Sequence, residues 1–452
     1  MSLNIDKFAK HLSDLSGYRR QALISREVFE KHVLSSSKTA ASYIWMYYVN
    51  QDTKAETVTG DAFIQCSEKI LGVITDKDQI KFYLKLFSND KEMMSQTAFM
   101  DFLCSAYVLY RAVNKLGIGE EDSDASSPAA VSWMESVSKS AYHIKTEMSV
   151  CFLTNWILTN IPRLLNPMHK YIVVQLTTGH NVLKSGNKSS PVSQNGAKSD
   201  ASSGVDDKVE RDPTASLIHP VLMWFLRSSL PGKFLSVLEK KPEALRNATT
   251  TPQQLMEMLH LGEAAHPETW SLLYDSEDQG LSINRFQHHV FNYRGPTLMF
   301  VKADNDYLFC IATDIEWRES CHFWGGEESL LLMVKPEFRI VEKGAKIFYA
   351  NFSIRGYPFG IQVGKDPRNL SIEIKPEFTY VSYKQIPCKI IRLLAWGCAP
   401  PQVKVSQHDL RKWEAKQAEK NRKVNLNNPE WKENPDKYLL ELAGSYKSYD
   451  NQ

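Results

Sequence analysis

The chain has 452 residues, enough for two or three domains, and its 43% hydrophobic and 11% aromatic content is typical of a protein with buried cores. Because 54 Lys and Arg nearly balance 52 Asp and Glu, the formal charge of +2 gives no global attraction to nucleic acid or to an anionic surface. The seven cysteines are scattered without C-x-x-C spacing, which predicts reduced thiols in the cytoplasm and argues against a zinc module or a disulfide framework.

Residues 1–179 have helical periodicity. Apolar side chains recur three and four residues apart on one face, for example at Ile80, Tyr83, Leu84 and Phe87. The longest apolar window, MSVCFLTNWILTNI, is too short to span a bilayer. An all-helical domain is therefore predicted here, interrupted by an exposed loop at GIGEEDSDASSPAA.

Two loops of this domain have the outline of a calcium-binding helix-loop-helix but lack its ligands. That motif needs oxygen ligands at loop positions one, three, five and twelve and Gly at six. The loop Asn50 to Asp61 has Lys54 at five and Ala55 at six, and the loop Ser88 to Phe99 has Met93 at six and Phe99 at twelve. We therefore predict an EF-hand-like domain with degenerate loops that hold no metal.

Residues 180–215 are rich in Ser, Gly, Lys and Asp and contain almost no large apolar side chains. Such a segment cannot bury enough surface to offset the entropy of ordering it, so we predict a disordered linker. A second folded unit is expected to begin at residue 216 and to extend to residue 400.

This second unit begins with helical segments and then changes to short runs rich in β-branched and aromatic residues, separated by turn residues. The runs are TLMFVKA, YLFCIATD, SLLLMVKP, RIVEKG, KIFYANFS, GIQVG, LSIEIK and KIIRLLAW. They predict an antiparallel core of two sheets with helices around its rim, and hence an α+β protein overall.

Residues 401–452 are predicted to form a charged helix and a tail. SQHDLRKWEAKQAEKNRKV consists of strong helix formers, with basic residues in excess of acidic ones. A solvated helix held by local ion pairs explains this composition. The functional interpretation is a helix that inserts between partner subunits, with Trp413 as its anchor and basic residues meeting an acidic groove. Its predicted partner-binding residues are Leu410, Arg411, Lys412, Trp413, Lys416, Lys420, Arg422 and Lys423.

No sequence pattern indicates catalysis or a cofactor. G-x-S-x-G, H-E-x-x-H, G-x-G-x-x-G and Walker phosphate motifs are not found. The adjacent His288 and His289 point in different directions on a helix or a strand, and Cys310 lies inside an apolar run, as a core residue would. We expect a non-enzymatic protein with no catalytic residue, cofactor or metal.

Several runs of the second unit, in order, resemble the TLDc domain family. They are WSLLYDSEDQGLSINRF, RGPTLMFVKADNDYLFCIATDIEW, FWGGEESLLLMVKPEFRIVEKG and KIIRLLAWG. The paired glycines that the family usually has in its hairpin are replaced by Leu308 to Thr313, which weakens transfer of any catalytic role. The motif residues, with a structural role implied, are Trp270, Leu272, Leu273, Gly280, Gly295, Pro296, Trp317, Gly325, Trp396 and Gly397.

The order of a helical unit, a TLDc unit and a charged helix resembles the subfamily of mTOR-associated proteins of the EAK type. FEKHVL and NPDKYLLELAGS are similar to segments of that subfamily. Ser2 stands where many members have the glycine needed for myristoylation.

The resemblance implies a monomeric, cytoplasmic regulatory protein, associated peripherally with lysosomal or other acidic-organelle membranes through its partners. The implied partners are the peripheral sector of the vacuolar proton-pumping ATPase (V-ATPase) and components of lysosomal mTOR signalling, with no nucleic acid. Two alternatives remain open: protection against oxidative stress, as in the wider family, and a calcium-responsive adaptor. Deletion of residues 405–452 is predicted to weaken pump binding without unfolding the TLDc unit.

Overall fold

The computed structural model describes residues 2–18, 22–50, 56–114, 125–186, 219–235 and 270–422, together with Leu439 and Leu442. Within these ranges, no helix combines the length and the apolar character needed to cross a bilayer. The described chain contains helices and one large antiparallel sheet, as an α+β protein should.

The first half of the chain consists of helices separated by very short strands. The elements are α1 (Ser2–Leu15), β1 (Leu23–Ser25), α2 (Arg26–His32), α3 (Lys38–Asn50), β2 (Thr57–Thr59), α4 (Gly60–Leu71), α5 (Asp76–Phe87), β3 (Met93–Ser95), α6 (Gln96–Asn114), α7 (Pro128–Tyr142), β4 (Glu147–Ser149), α8 (Val150–Asn160) and α9 (Asn166–Gly186). The first twelve form four helix-strand-helix units. Their strands pair antiparallel two by two, β1 with β2 and β3 with β4.

The four units share a local sequence pattern that explains their geometry. In each strand the middle side chain is buried, namely Ile24, Val58, Met94 or Met148. Each strand ends in Ser or Thr, a residue type that satisfies the free N–H groups at a helix start. The hydroxyls of Thr59, Ser95 and Ser149 accept hydrogen bonds from backbone N–H groups three residues later, at 3.2 to 3.3 Å. This pattern is an internal repeat that periodicity alone did not reveal.

Helix α9 extends to Gly186, so regular structure continues past residue 180, where the linker was predicted to start. The rest of that predicted linker lies outside the described residues. The chain is described again from His219, which caps α10 (Pro220–Ser229) through its ring Nδ1. A single turn of 3-10 helix follows at Gly232–Phe234.

The second half of the chain contains the large sheet. Its elements are β5 (Ser271–Asp275), α11 (Ser276–Gln279), α12 (Ile283–Val290), β6 (Thr297–Ala303), β7 (Leu308–Thr313), β8 (Leu330–Lys335), β9 (Arg339–Lys343), β10 (Phe348–Asn351), β11 (Gly360–Val363), β12 (Ile372–Ile374), β13 (Tyr380–Tyr383), β14 (Ile386–Gly397) and α13 (Pro401–Arg422). The eight predicted runs correspond to strands β6 to β12 and β14.

Strand β14 joins the two halves of this sheet. The strand order is β10-β11-β12-β13-β14-β6-β7-β8-β9, and β5 also pairs with β14. The first residues of β14 pair with β13, whereas its last residues lie between β5 and β6. Every pairing in the sheet is antiparallel.

The strands around β14 are buried on both faces. Along β6, Met299 and Val301 belong to a core shared by the two halves of the sheet, while Leu298 and Phe300 belong to a second core. Strands β7 and β8 alternate in the same way. Burial on both faces produces continuous apolar runs instead of alternation with polar residues, which explains the composition of TLMFVKA and YLFCIATD in β6 and β7.

The second core is formed with the helical half of the chain. The Asn160 side-chain oxygen accepts a hydrogen bond from the Ile340 N–H at 2.9 Å, and the Ser136 carbonyl accepts one from the Phe338 N–H at 3.0 Å. The Phe225 ring of α10 packs on the Phe338 ring at 5.5 Å. Helices therefore cover one face of strands β6 to β8 and of the end of β14, which corrects the prediction that they lie around the rim of the sheet.

Two strands of the large sheet were missed from the sequence, β5 and β13, as were the four short strands β1 to β4 of the half predicted to be all-helical. Strand β13 connects to β14 through Lys384 and Gln385, which have φ values of 45° and 70°. A two-residue hairpin turn with positive φ at both positions is normally Asn-Gly or a similar pair. Lys-Gln carries no such turn signal, so the hairpin was not recognisable in FTYVSYKQIPCK.

Candidate partner-binding site

The first half of α13 is fastened to the body of the sheet domain. The buried Gln407 amide donates to the carbonyls of His289 and Phe291 at 3.2 and 2.8 Å, and the Arg411 guanidinium donates to the Phe291 carbonyl at 3.3 Å. These carbonyls end α12, where backbone oxygens lack helical partners. The Lys404 ammonium donates to the Leu272 carbonyl at 2.8 Å.

The second half of α13 is exposed. The Trp413 side chain is 59% exposed although it is the largest apolar group of the helix, and Lys412, Lys416 and Lys420 are exposed as well. Of the other predicted partner-binding residues, Leu410 is half-buried. The Arg422 side chain and Lys423 lie outside the described residues. The structure thus divides the predicted set into an anchored part around Arg411 and a free part from Lys412 onward.

A cleft lies on each side of α13. The larger, of about 600 Å³, is lined by Asn292 and Arg294 from the body and by Asp409, Leu410 and Trp413 from the helix. The smaller, of about 400 Å³, is lined mainly by basic residues of α12 and α13. Trp413 therefore borders a concave apolar surface that a partner side chain could fill.

The predicted motif residues have structural positions. Trp270 donates from Nε1 to the Phe234 carbonyl at 2.9 Å. Leu273 and Trp396 are buried and Leu272 is half-buried. Gly280 and Gly325 have φ values of 75° and 118°, which favour glycine. A side chain on Gly295 would meet Ala399, and one on Gly397 would overlap the Tyr293 ring. Pro296, next to Gly295, accepts a backbone hydrogen bond from Cys398 at 2.8 Å.

Trp317 packs against the hairpin formed by β6 and β7. Its Nε1 donates to the Thr297 hydroxyl at 2.7 Å, and its ring meets Phe286 and Trp324 edge to face at 5.3 and 5.4 Å. The turn of this hairpin contains Asn305 and Asp306 with φ values of 56° and 60°. These contacts make the hairpin a rigid scaffold.

A buried ion pair escaped the sequence analysis. The Arg392 guanidinium donates to both carboxylate oxygens of Asp275, at 3.2 and 2.6 Å, and both side chains are at most 5% exposed. Asp275 also accepts from the Glu277 N–H at 2.9 Å, and Glu277 pairs with the outer side of Arg392 at 2.9 Å. No sequence signal connects these residues, since only the pairing of β5 with β14 brings them together.

A polar cluster around Asp314, where the segment after β7 meets the loop before β8, was also not predicted from the sequence. Burial of the Asp314 carboxylate opposes its ionisation, but hydrogen bonds from the Ser329 hydroxyl and the Gly326 and Glu328 N–H groups outweigh burial. The pKa of Asp314 is therefore lowered. The Lys233 ammonium lies 3.5 Å away. Asp314 therefore fastens the loop before β8. Its carboxylate oxygens already accept hydrogen bonds within the protein.

Five of the seven thiols are held in their protonated form by burial. Burial raises the pKa of the Cys66, Cys104, Cys310, Cys388 and Cys398 thiols, so these cysteines remain protonated. Cys310 is fully buried, as predicted. Across the described ranges, no group of three His, Cys, Asp or Glu side chains could hold a metal ion.

Comparison with protein families places this geometry in context. Residues 247–391 match the model of the TLDc domain, which is about a third of the chain and includes most of the large sheet. The match supports membership of the TLDc family. No match was found among curated proteins.

Proposed function

Taking the TLDc domain at residues 247–391 as the premise, we propose that the chain is a non-enzymatic regulatory protein that binds the peripheral sector of the V-ATPase. The TLDc domain and helix α13 form the contact, and the pump links the protein to lysosomal mTOR signalling. The protein is a cytoplasmic monomer that reaches lysosomal membranes through these partners. The resemblance to the EAK-type subfamily supports the choice of partner.

One observation carries this proposal: the free half of α13 presents a 59% exposed Trp413 among exposed lysines. Tryptophan is enriched among residues that dominate protein interfaces, because it buries a large apolar area on binding. Charge around the anchor steers a partner of opposite sign. A helix fastened at one end and free at the other suits insertion into a groove of an assembly.

The helical half is proposed to be an EF-hand-like domain without calcium. Its helix-strand-helix units with paired strands have the expected layout. In the loop Ser88 to Phe99, however, the twelfth position is the buried Phe99, whose ring packs 5.7 Å from Phe102 and 5.5 Å from Tyr142. Calcium requires a carboxylate there. This disfavours the calcium-responsive adaptor.

Protection against oxidative stress is the other candidate function and is associated with TLDc proteins in general. Direct peroxide chemistry needs an accessible thiolate. The raised pKa of five buried or half-buried thiols argues against that route at those positions. Of the other two cysteines, Cys151 is exposed and Cys321 is half-buried. An indirect role, through a partner, is compatible with the proposed pump binding.

The test is capture of the V-ATPase peripheral sector from native membranes by the full chain. Trp413→Ala is expected to weaken capture about thirtyfold, since interface anchors of this type contribute about 2 kcal/mol. Val405→Ala is the matched control, because Val405 is 60% exposed on the same helix but belongs to its fastened half. Substitution is sharper than deletion from residue 405, which would also remove the buried Gln407.

Undiminished capture by Trp413→Ala would contradict the proposal. Capture that requires added calcium would favour the adaptor instead.

A further inference from the structure

The smaller cleft beside α13 collects positive charge from two helices. His288 and His289 come from the last turn of α12, while Lys404, His408, Arg411 and Lys412 come from one face of α13. The remaining lining residues, Gln407 and Ala415, are uncharged. Six basic side chains thus converge on one cleft of about 400 Å³ whose lining includes no carboxylate.

The basic side chains of the cleft form no ion pair with the described acidic residues. In the described part of the chain, no carboxylate lies within ion-pair distance of any of the six basic side chains. Glu414 is the acidic group that acts on Arg411, and Asp409 lines the opposite cleft. The ring of His289 contacts Tyr274, and the next residue, Asp275, is already paired with Arg392. Within the described residues, the basic groups of the cleft therefore form no ion pair, and Glu414 acts on Arg411 from beyond ion-pair distance.

Two of the six basic side chains, His289 and Arg411, are half-buried, and their partial burial is costly for the free protein. Burial lowers the pKa of the His289 imidazole, and the nearby His288, Arg411 and Lys404 lower it further. Burial also lowers the pKa of Arg411. A cation held in a half-buried site without a partner is stabilised when an anion binds.

Hydrogen bonding to the free carbonyls at the C-terminal end of α12 explains only some of the six basic side chains in the cleft. Gln407 and Arg411 satisfy the carbonyls there, which is the expected use of donors at a helix C-terminus. His288, His408 and Lys412 have no such contact and still face the same cleft. Three of the six basic groups are thus available to a ligand.

We propose that this cleft binds a phosphoryl group, either free or as part of a lipid headgroup. A phosphoryl group carries more than one negative charge and several acceptor oxygens in a small volume, so it can meet a guanidinium, an ammonium and imidazole N–H groups together. A single carboxylate would neutralise less of the cluster. The site lies on the opposite side of α13 from Trp413. It shares Arg411 and Lys412 with the predicted partner-binding set, whereas His288 and His408 belong to the cleft alone.

The test measures binding of inorganic pyrophosphate to the full chain by calorimetry, in the absence of the pump. Arg411→Gln combined with Lys412→Gln is expected to weaken binding about tenfold, since two charge-assisted contacts are lost. Lys416→Gln combined with Lys420→Gln is the matched control, because it removes the same charge from the same helix outside the cleft. If the first pair disturbs folding, His288→Gln with His408→Gln tests the cleft through exposed side chains.

The source of the phosphoryl group is assigned with vesicles of phosphatidylcholine, with and without phosphatidic acid. Binding of pyrophosphate alone indicates a free phosphorylated ligand, and binding of phosphatidic acid vesicles as well indicates a lipid headgroup. Equal losses in the cleft and control variants, no binding of pyrophosphate, or tighter binding of a glutamate-rich peptide would each overturn the proposal. Pump capture by these variants is measured separately, so the two proposals fail independently.

Discussion

At the scale of single residues, the sheet is fastened by a charged pair that lies almost entirely out of water. The Arg392 guanidinium holds Asp275 through two hydrogen bonds, and both side chains are buried. Removing one partner of such a pair leaves the other charge buried and unpaired, which costs more than the pair itself contributes. The pair connects β5 to β14 at the point where β14 enters the second half of the sheet.

Arg392→Met is therefore expected to lower the free energy of unfolding by about 3–5 kcal/mol. Urea unfolding followed by tryptophan fluorescence measures the change. Glu277→Gln is the control, because the Glu277 side chain is 60% exposed, and a change of at most about 0.5 kcal/mol is expected there. Equal effects of the two substitutions would contradict the role assigned to the buried pair.

At the scale of elements, the apolar runs identified eight strands of the sheet, because β-branched and aromatic side chains are enriched in strands. The longest runs mark strands buried on both faces, such as β6, β7 and β8. The hairpin of β13 and β14 was missed because Lys384 and Gln385 adopt positive φ without the usual turn residues. The helical repeats were missed for a different reason. The pattern that the units share is a three-residue strand ending in a Ser or Thr cap, and so short a segment shows no periodicity.

Gln385→Gly is expected to stabilise the protein by about 1 kcal/mol, since glycine adopts the φ of 70° at this turn without the steric cost of a side chain. Lys384 is kept because its ammonium lies 5.6 Å from the centre of the Tyr383 ring. Thermal unfolding measures the gain. Gln385→Ala, which retains a Cβ, serves as the control, and a gain of the same size there would show that backbone strain is not the cause.

At the scale of the whole molecule, the predicted division at residue 216 separates two parts that share a core. Leu298, Phe300 and Leu332 of the sheet belong to the same buried cluster as Trp224 of α10 and Val137 of α7. The candidate site could be predicted only as a charged helix with an apolar anchor. Its fastening to α12 and the basic cleft depend on contacts between residues more than a hundred positions apart in the sequence.

A fragment of residues 216–422 is accordingly expected to expose the face of the sheet that the helical half covers. It should bind a hydrophobic dye and self-associate, because large exposed apolar patches promote association. Analytical ultracentrifugation and dye fluorescence compare it with the full chain. Co-expression with residues 1–186 is expected to restore a soluble complex. A monomeric fragment without dye binding would show that the shared core is not needed for the stability of the sheet.

The position of β14 also affects how the protein is made. Strand β14 is the last strand of the sheet to be synthesised, yet it lies between β13 and β6 and also pairs with β5. Until the ribosome has released it, the earlier strands form two separate groups that have no shared central strand. The helical units are synthesised first and can fold before β14 is made. Their apolar surface is then available for the strands of the sheet to pack against. The sheet can therefore be completed only near the end of synthesis of the chain.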